Sequence, residues 1–94
     1  MPRPCKRRKI EGSPSADYFK PRGIKMKELE EVELSIDEFE AIRLKDYLGK
    51  DQAECAEQMG ISQPTFHRLL IVARKKLSES IIMGKALKIT KDKK

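Results

Sequence analysis

The 94-residue chain is poor in large side chains: it has no Trp, three Phe, two Tyr and a single His. Its two cysteines, Cys5 and Cys55, are too far apart to form a CxxC pair, so we expect neither a disulfide framework nor a zinc site. No apolar run approaches the roughly 20 residues of a membrane span, and no apolar stretch follows the basic N-terminus as it would in a secretory signal. These absences favour one small, reduced, cytoplasmic domain.

The residue patterns of enzymes are also missing. There is no pairing of a nucleophile with a base, no Gly-rich phosphate loop and no set of metal ligands, since His67 is the only histidine. We therefore expect a binding protein without catalytic activity, metal or other cofactor.

Charge, in contrast, is abundant, and it is unevenly distributed. Charged residues make up 38% of the chain, and the net charge is +6. Residues 1–25 carry +6, residues 26–60 carry −7 and residues 61–94 carry +7. An acidic middle between two basic ends indicates that one surface faces a polyanion while the acidic part faces away. The alternative interpretation is that these charges are simply solvated and bind no polyanion, above all in the final KDKK.

Residues 1–23 are predicted to form a flexible, basic N-terminal arm, because they hold four of the five prolines and the cluster CKRRK. Such a cluster suits DNA phosphates or a minor groove, although a solubilising tail has the same composition. Tyr18 and Phe19 either anchor the arm on the domain or stack on a base. The arm residues predicted to contact phosphate are Lys6, Arg7 and Arg8.

Residues 24–84 are predicted to form the folded domain. In residues 24–34 apolar positions fit a strand and a helix equally, and we expect a helical turn that leads into an extended link. Ser35 and Glu38 have the spacing of a capping box, which predicts a helix that ends at Gly49. We expect this helix to be structural and its acidic side chains to be solvated.

Two further helices follow. One begins at Asp51 and ends at Gly60, where a left-handed backbone favours glycine. The next is capped by Ser62, has a proline in its first turn, and continues to just before Gly84. Residues 85–94 are predicted to be a basic C-terminal tail.

The two later helices have the spacing of a helix-turn-helix motif. That motif needs a small residue where the helices cross, a glycine in the turn four residues later, and apolar residues that lock the pair. A generic helical hairpin meets the apolar requirement by chance, but seldom the Ala–Gly spacing as well. The residues that meet these requirements are Ala56, Gly60, Ile61, Phe66 and Leu69.

In such motifs the start of the second helix meets base edges in the major groove, and later basic residues contact phosphates. Gln pairs well with adenine and Arg with guanine. The predicted base contacts are Gln63, Thr65, His67 and Arg68. The predicted phosphate contacts in and before this helix are Ser62, Arg74, Lys75 and Lys76.

Nearly the whole chain resembles an uncharacterised prokaryotic family of small helix-turn-helix proteins similar to region four of sigma factors. The resemblance lies in MPRPCKRRKI, in YFKPRG and, most specifically, in the run from Glu38 through Gly84. It implies an all-α, DNA-binding fold and a role in transcriptional regulation. Family members often carry cysteines just after the basic arm, where this chain has Glu11-Gly12-Ser13, so a metal or redox role of such cysteines is not carried over.

The expected partner is double-stranded DNA. Because a single motif covers only part of a turn of DNA, we also expect a homodimer or an RNA polymerase partner. Two alternatives remain: a protein-interaction module that uses the acidic segment Glu28–Glu40, and an RNA-binding protein that uses the basic ends. The candidate dimer surface, which serves equally well to close the core of one chain, is Ile81, Ile82, Met83, Leu87 and Ile89.

Overall fold

The computed structural model describes residues 9–90, apart from the side chain of Met26. Within this range the chain forms three strands and three α-helices, with a short 3-10 turn and a π-type turn between them. In chain order they are β1 (Tyr18–Phe19), the 3-10 turn (Met26–Glu28), β2 (Glu31–Ser35), α1 (Ile36–Ile42), the π-type turn (Arg43–Tyr47), α2 (Gln52–Met59), α3 (Gln63–Met83) and β3 (Ala86–Thr90).

The strands form one mixed sheet with β3 in the centre. β3 runs parallel to β2, and β1 runs antiparallel to β3 on the other side. All three α-helices lie between β2 and β3 in the chain. Among the described residues, none of the helices combines the length and the hydropathy that crossing a membrane requires.

The prediction of an all-α domain is wrong: the fold is α+β. Residues 86–90, which fall in the predicted basic tail, form the central strand. Leu87 and Ile89 are 9% and 6% exposed, and they lie opposite Val32 and Leu34 of β2. Each strand is too short to be distinctive by itself, and its partner is far away in the chain, so local periodicity cannot reveal the pairing.

The helix ends follow the local sequence. The predicted capping box is confirmed: the Glu38 backbone N–H donates to Ser35 Oγ over 3.3 Å, and the Ser35 N–H donates to Glu38 Oε1 over 2.9 Å. Asp51 accepts a hydrogen bond at the start of α2, and Ser62 does the same for α3. Gly84 ends α3 with a φ of 67°.

The first predicted helix changes its hydrogen bonding before it ends. Its α-helical part stops at Ile42, and the next five residues form the π-type turn. In that turn the Leu48 N–H donates to the Arg43 carbonyl oxygen over 2.9 Å. Gly49, with a φ of 78°, then reverses the chain toward α2, as the sequence predicts.

Most of the buried apolar residues form two clusters, to which successive parts of α3 contribute. One lies between the helices, and the other lies between the helices and the inner face of the sheet. Cys55 belongs to the first cluster, and burial raises the pKa of its thiol. The first cluster is Ala41, Leu44, Cys55, Ala56, Met59, Phe66 and Leu70, and the second is Val32, Leu34, Ala73, Leu87 and Ile89.

Candidate nucleic-acid interface

The turn between α2 and α3 is short and tightly bonded. Gly60 closes α2 with φ 70° and ψ 32°, a left-handed conformation that glycine adopts without a steric penalty. The next N–H, from Ile61, donates back to the Ala56 carbonyl oxygen over 3.0 Å. Ser62 then starts α3, so three residues separate the two helices.

The five residues assigned to the motif geometry lie together around this turn. Ala56 and Phe66 are 3% and 0% exposed and belong to the cluster between the helices. Ile61 and Leu69 are partly buried and pack against that cluster, and Gly60 occupies the turn. The spacing of these five residues in the sequence therefore corresponds to two helices, α2 and α3, that pack against each other in the structure.

The first two turns of α3 present three of the predicted base-contacting residues to solvent. Gln63, His67 and Arg68 are exposed. None of their side chains forms a hydrogen bond or an ion pair with another residue of the described range 9–90. Residues four apart share a helix face, so Gln63 and His67 point the same way and Arg68 lies beside them.

Thr65 and Ser62 are hydrogen-bonded to each other at the start of the helix. The Thr65 N–H donates to Ser62 Oγ over 3.3 Å, and Ser62 Oγ–H donates to Thr65 Oγ1 over 2.9 Å. Thr65 is half-buried, whereas Ser62 is exposed. Both hydroxyls thus take part in hydrogen bonds at the helix N-terminus, unlike the side chains of Gln63, His67 and Arg68 within residues 9–90.

The predicted phosphate contacts on α3 differ in their availability. Lys75 is exposed and makes no ion pair with any residue between positions 9 and 90. Arg74 instead binds Asp46 of the π-type turn, and Lys76 Nζ donates to Glu38 Oε1 of α1 over 2.8 Å. Two of the three cations therefore already form an ion pair with a carboxylate of the domain itself. Lys6, Arg7 and Arg8 lie outside the described residues.

Glu40, expected to be a solvated acid, is instead only 1% exposed. Its Oε1 accepts from Arg43 Nε at 2.8 Å and from the Gly12 N–H at 3.1 Å. Its Oε2 accepts from Arg43 Nη2 at 2.9 Å and from the Glu11 N–H at 3.1 Å. Burial raises the pKa of Glu40, but these hydrogen bonds outweigh burial, so the pKa lies below its ordinary value of 4.5.

These contacts bring part of the predicted arm to the α2–α3 turn. The Lys9 N–H donates to the Met59 carbonyl oxygen, at the end of α2, over 3.0 Å. Ile10 packs against the cluster between the helices. Of the two aromatic residues of the arm, Tyr18 lies in β1 and donates from its hydroxyl to Glu31 Oε2 over 2.8 Å, whereas Phe19 is 52% exposed.

The five residues of the candidate dimer surface divide into two groups. Leu87 and Ile89 belong to the core beneath the sheet, so they close the domain itself. Ile81, Ile82 and Met83 at the end of α3 are 78%, 77% and 65% exposed. Only the second group remains available to a partner.

The protein belongs to the α+β class: helices pack on one face of a three-stranded mixed sheet, and α3 starts with an exposed polar face. The chain belongs to the family described as "Protein of unknown function DUF134", whose model matches residues 1–93.

Bacterial relatives match along nearly the whole chain. A UPF0251 protein of Pelotomaculum thermopropionicum is 53% identical over 90 residues, which are 96% of this chain and 68% of the relative. A UPF0251 protein of Dehalococcoides mccartyi is 54% identical over 89 residues, 95% of this chain and 76% of the relative. One of Desulforudis audaxviator is 49% identical over 89 residues, 95% of this chain and 58% of the relative. No solved structure matches significantly.

Proposed function

We propose that this protein binds double-stranded DNA and regulates transcription, with the start of α3 docked in the major groove as in a helix-turn-helix protein like sigma factor region four. The observation that carries the proposal is the exposed face formed by Gln63, His67 and Arg68, whose side chains are unpaired within residues 9–90. A polar face at the start of a helix that a partner helix holds in place through buried contacts suits base recognition.

The chemistry of this face suits base edges. The Gln63 amide can bind adenine through two hydrogen bonds, and the Arg68 guanidinium can bind guanine in the same way. Lys75 lies about two turns further along α3, where a cation meets the phosphate backbone. For Arg74 and Lys76 to bind phosphate as well, each would have to exchange a carboxylate partner for a phosphate oxygen.

A second copy of the chain is part of the proposal, because one motif covers only part of a turn of DNA. The exposed apolar end of α3, formed by Ile81, Ile82 and Met83, supports it. A two-fold repeat in the preferred DNA site is the expected consequence.

The decisive experiment is selection of binding sites from random duplex DNA, followed by affinity measurements at several salt concentrations. We expect Arg68→Ala to change the sequence preference. We expect Lys75→Ala to weaken all sequences alike and to reduce the slope of log affinity against log salt by about one. Lys88→Ala is the matched control, because Lys88 is an exposed cation of β3 that does not belong to α3.

The alternatives predict other outcomes. Binding to single-stranded RNA but not to duplex DNA would favour RNA recognition by the basic ends. Failure to bind any nucleic acid at low salt would favour an interaction module, for example with RNA polymerase. The acidic segment Glu28–Glu40 is a smaller surface for such a partner than its composition indicates, because Glu38 and Glu40 are 8% and 1% exposed.

A further inference from the structure

The segment from Lys9 to Gly12 is bound to the domain mainly through its backbone. The Lys9 N–H bonds to the end of α2, and the N–H groups of Glu11 and Gly12 bond to the Glu40 carboxylate. Between them, Ile10 packs on the helical core. These backbone contacts, together with Ile10, fix where the segment runs.

The Glu40 carboxylate is the centre of this attachment. It is almost fully buried and accepts four hydrogen bonds, two on each oxygen. Arg43 supplies two of them and orients the carboxylate, and the arm supplies the other two. A buried charge with this many donors is costly to leave unpaired, which favours the docked position of the arm over a detached one.

Gly12 is adapted to this arrangement. A Cβ atom at this position would overlap Arg43 Nε and Cδ and would lie 2.9 Å from Cζ. The Arg43 side chain is flexible in principle, but its pairing with Glu40 holds it in place. A larger residue at position 12 must therefore shift either the arm or the Arg43 side chain.

We propose that Glu40, held by Arg43, is a positioning residue that fixes the Lys9–Gly12 segment at the α2–α3 turn and so delivers a basic side chain, Lys9, to the DNA-binding face. Lys9 is exposed, and its Cγ lies 4.0 Å from where a Cβ of Gly60 would be. Its role as a phosphate contact rests on the proposed function, whereas the attachment of the segment does not.

The attachment is tested on the full chain by amide hydrogen exchange measured by NMR. In the wild-type protein we expect the N–H groups of Glu11 and Gly12 to be protected. Gly12→Ala should abolish their protection and leave that of α3 unchanged. Ser13→Ala is the matched control, because Ser13 is an adjacent exposed residue, and it should change neither. Unprotected amides at Glu11 and Gly12 in the wild-type protein would overturn the proposal.

The delivery of Lys9 is tested by affinity for duplex DNA at several salt concentrations. Lys9→Ala should lower the affinity by roughly tenfold and reduce the salt slope by about 0.9. Gly12→Ala should lower the affinity and the salt slope by at least as much. It should leave the sequence preference that Arg68 sets unchanged. Glu40→Gln keeps the shape but replaces one acceptor oxygen by an NH2 group that cannot accept from Arg43 or from the arm, so it should give a loss of the same kind.

A double-mutant cycle separates positioning from a general loss of stability. If Gly12→Ala acts by releasing Lys9, then Lys9→Ala should add little in the Gly12→Ala background. Fully additive losses would overturn the delivery of Lys9. Absence of duplex binding by the wild-type protein would overturn it together with the proposed function, and protected amides at Glu11 and Gly12 would still establish the attachment.

Discussion

Arg74 of α3 and Asp46 of the π-type turn form a bidentate ion pair, with Nη2 2.6 Å from Oδ1 and Nε 3.1 Å from Oδ2. The side chains are 49% and 39% exposed, so the pair contributes no more than about 1 kcal/mol to stability. The hydrogen bond from Arg74 is the main reason why the pKa of Asp46 is lowered, so the carboxylate stays ionised at neutral pH.

This pair leads to a prediction about DNA affinity. Asp46→Asn should strengthen duplex binding and steepen its salt slope by about one, because Arg74 becomes free to contact a phosphate. The midpoint of urea unfolding should change little. Glu33→Gln removes the same charge from an exposed position of β2 and serves as the control. Equal effects of the two substitutions would mean that only net charge matters and that Arg74 does not reach DNA.

Two adjacent residues of α3 should respond very differently to truncation. Leu70 is fully buried between the helices, whereas Ile71 is 51% exposed. Leu70→Ala should lower the free energy of unfolding by about 2–5 kcal/mol, and Ile71→Ala by less than about 0.5 kcal/mol. Urea titrations followed by circular dichroism measure both. A large loss of unfolding free energy for Ile71→Ala would mean that α3 is rotated about its axis, with Ile71 facing the core.

A second pair of neighbours tests the sheet. Ile89 of β3 is 6% exposed and faces the core, whereas Lys88 is exposed. Ile89→Ala should cost about 2–5 kcal/mol, while Lys88→Ala should stay within about 0.5 kcal/mol. Thermal unfolding of the two variants distinguishes a central strand from the tail that the sequence predicts. Similar melting temperatures would favour the tail.

The ion pair of Glu40 predicts a specific dependence of stability on pH. Because the folded state lowers the pKa of Glu40, its contribution is complete at neutral pH and declines as the pH falls below about 4.5. The stability difference between the wild-type protein and Glu40→Gln should therefore be constant from about pH 6 to pH 8, and it should shrink in acid. Urea midpoints across this range provide the measurement. A difference that grows in acid would contradict the assigned direction.

The parts of the structure that were predictable are those set by neighbouring residues. At Ser35, Asp51 and Ser62 the capping side chain accepts a hydrogen bond from the backbone N–H three positions further on, and the Ala56–Gly60 spacing defines the helix pair. These are contacts within one or two turns of the chain, so the sequence displays them directly.

The parts that were missed depend on distant partners. The sheet joins β3 to strands far back in the chain, and the amides bound by Glu40 are likewise remote. The i, i+3 spacing of Glu40 and Arg43 was a local sign of an ion pair, but it is equally typical of solvated helix surfaces. What distinguishes this pair is that the Glu40 side chain is 1% exposed and also accepts from the N–H groups of Glu11 and Gly12.

The central position of β3 has a consequence for synthesis on the ribosome. β2 and all three helices emerge before residues 86–90, yet the inner face of the sheet cannot form without them. Until then the nascent chain exposes Val32 and Leu34, which β3 later helps to cover. The core beneath the sheet is therefore completed only after translation has passed Thr90, and a chain interrupted before that point leaves Val32 and Leu34 accessible to chaperones and proteases.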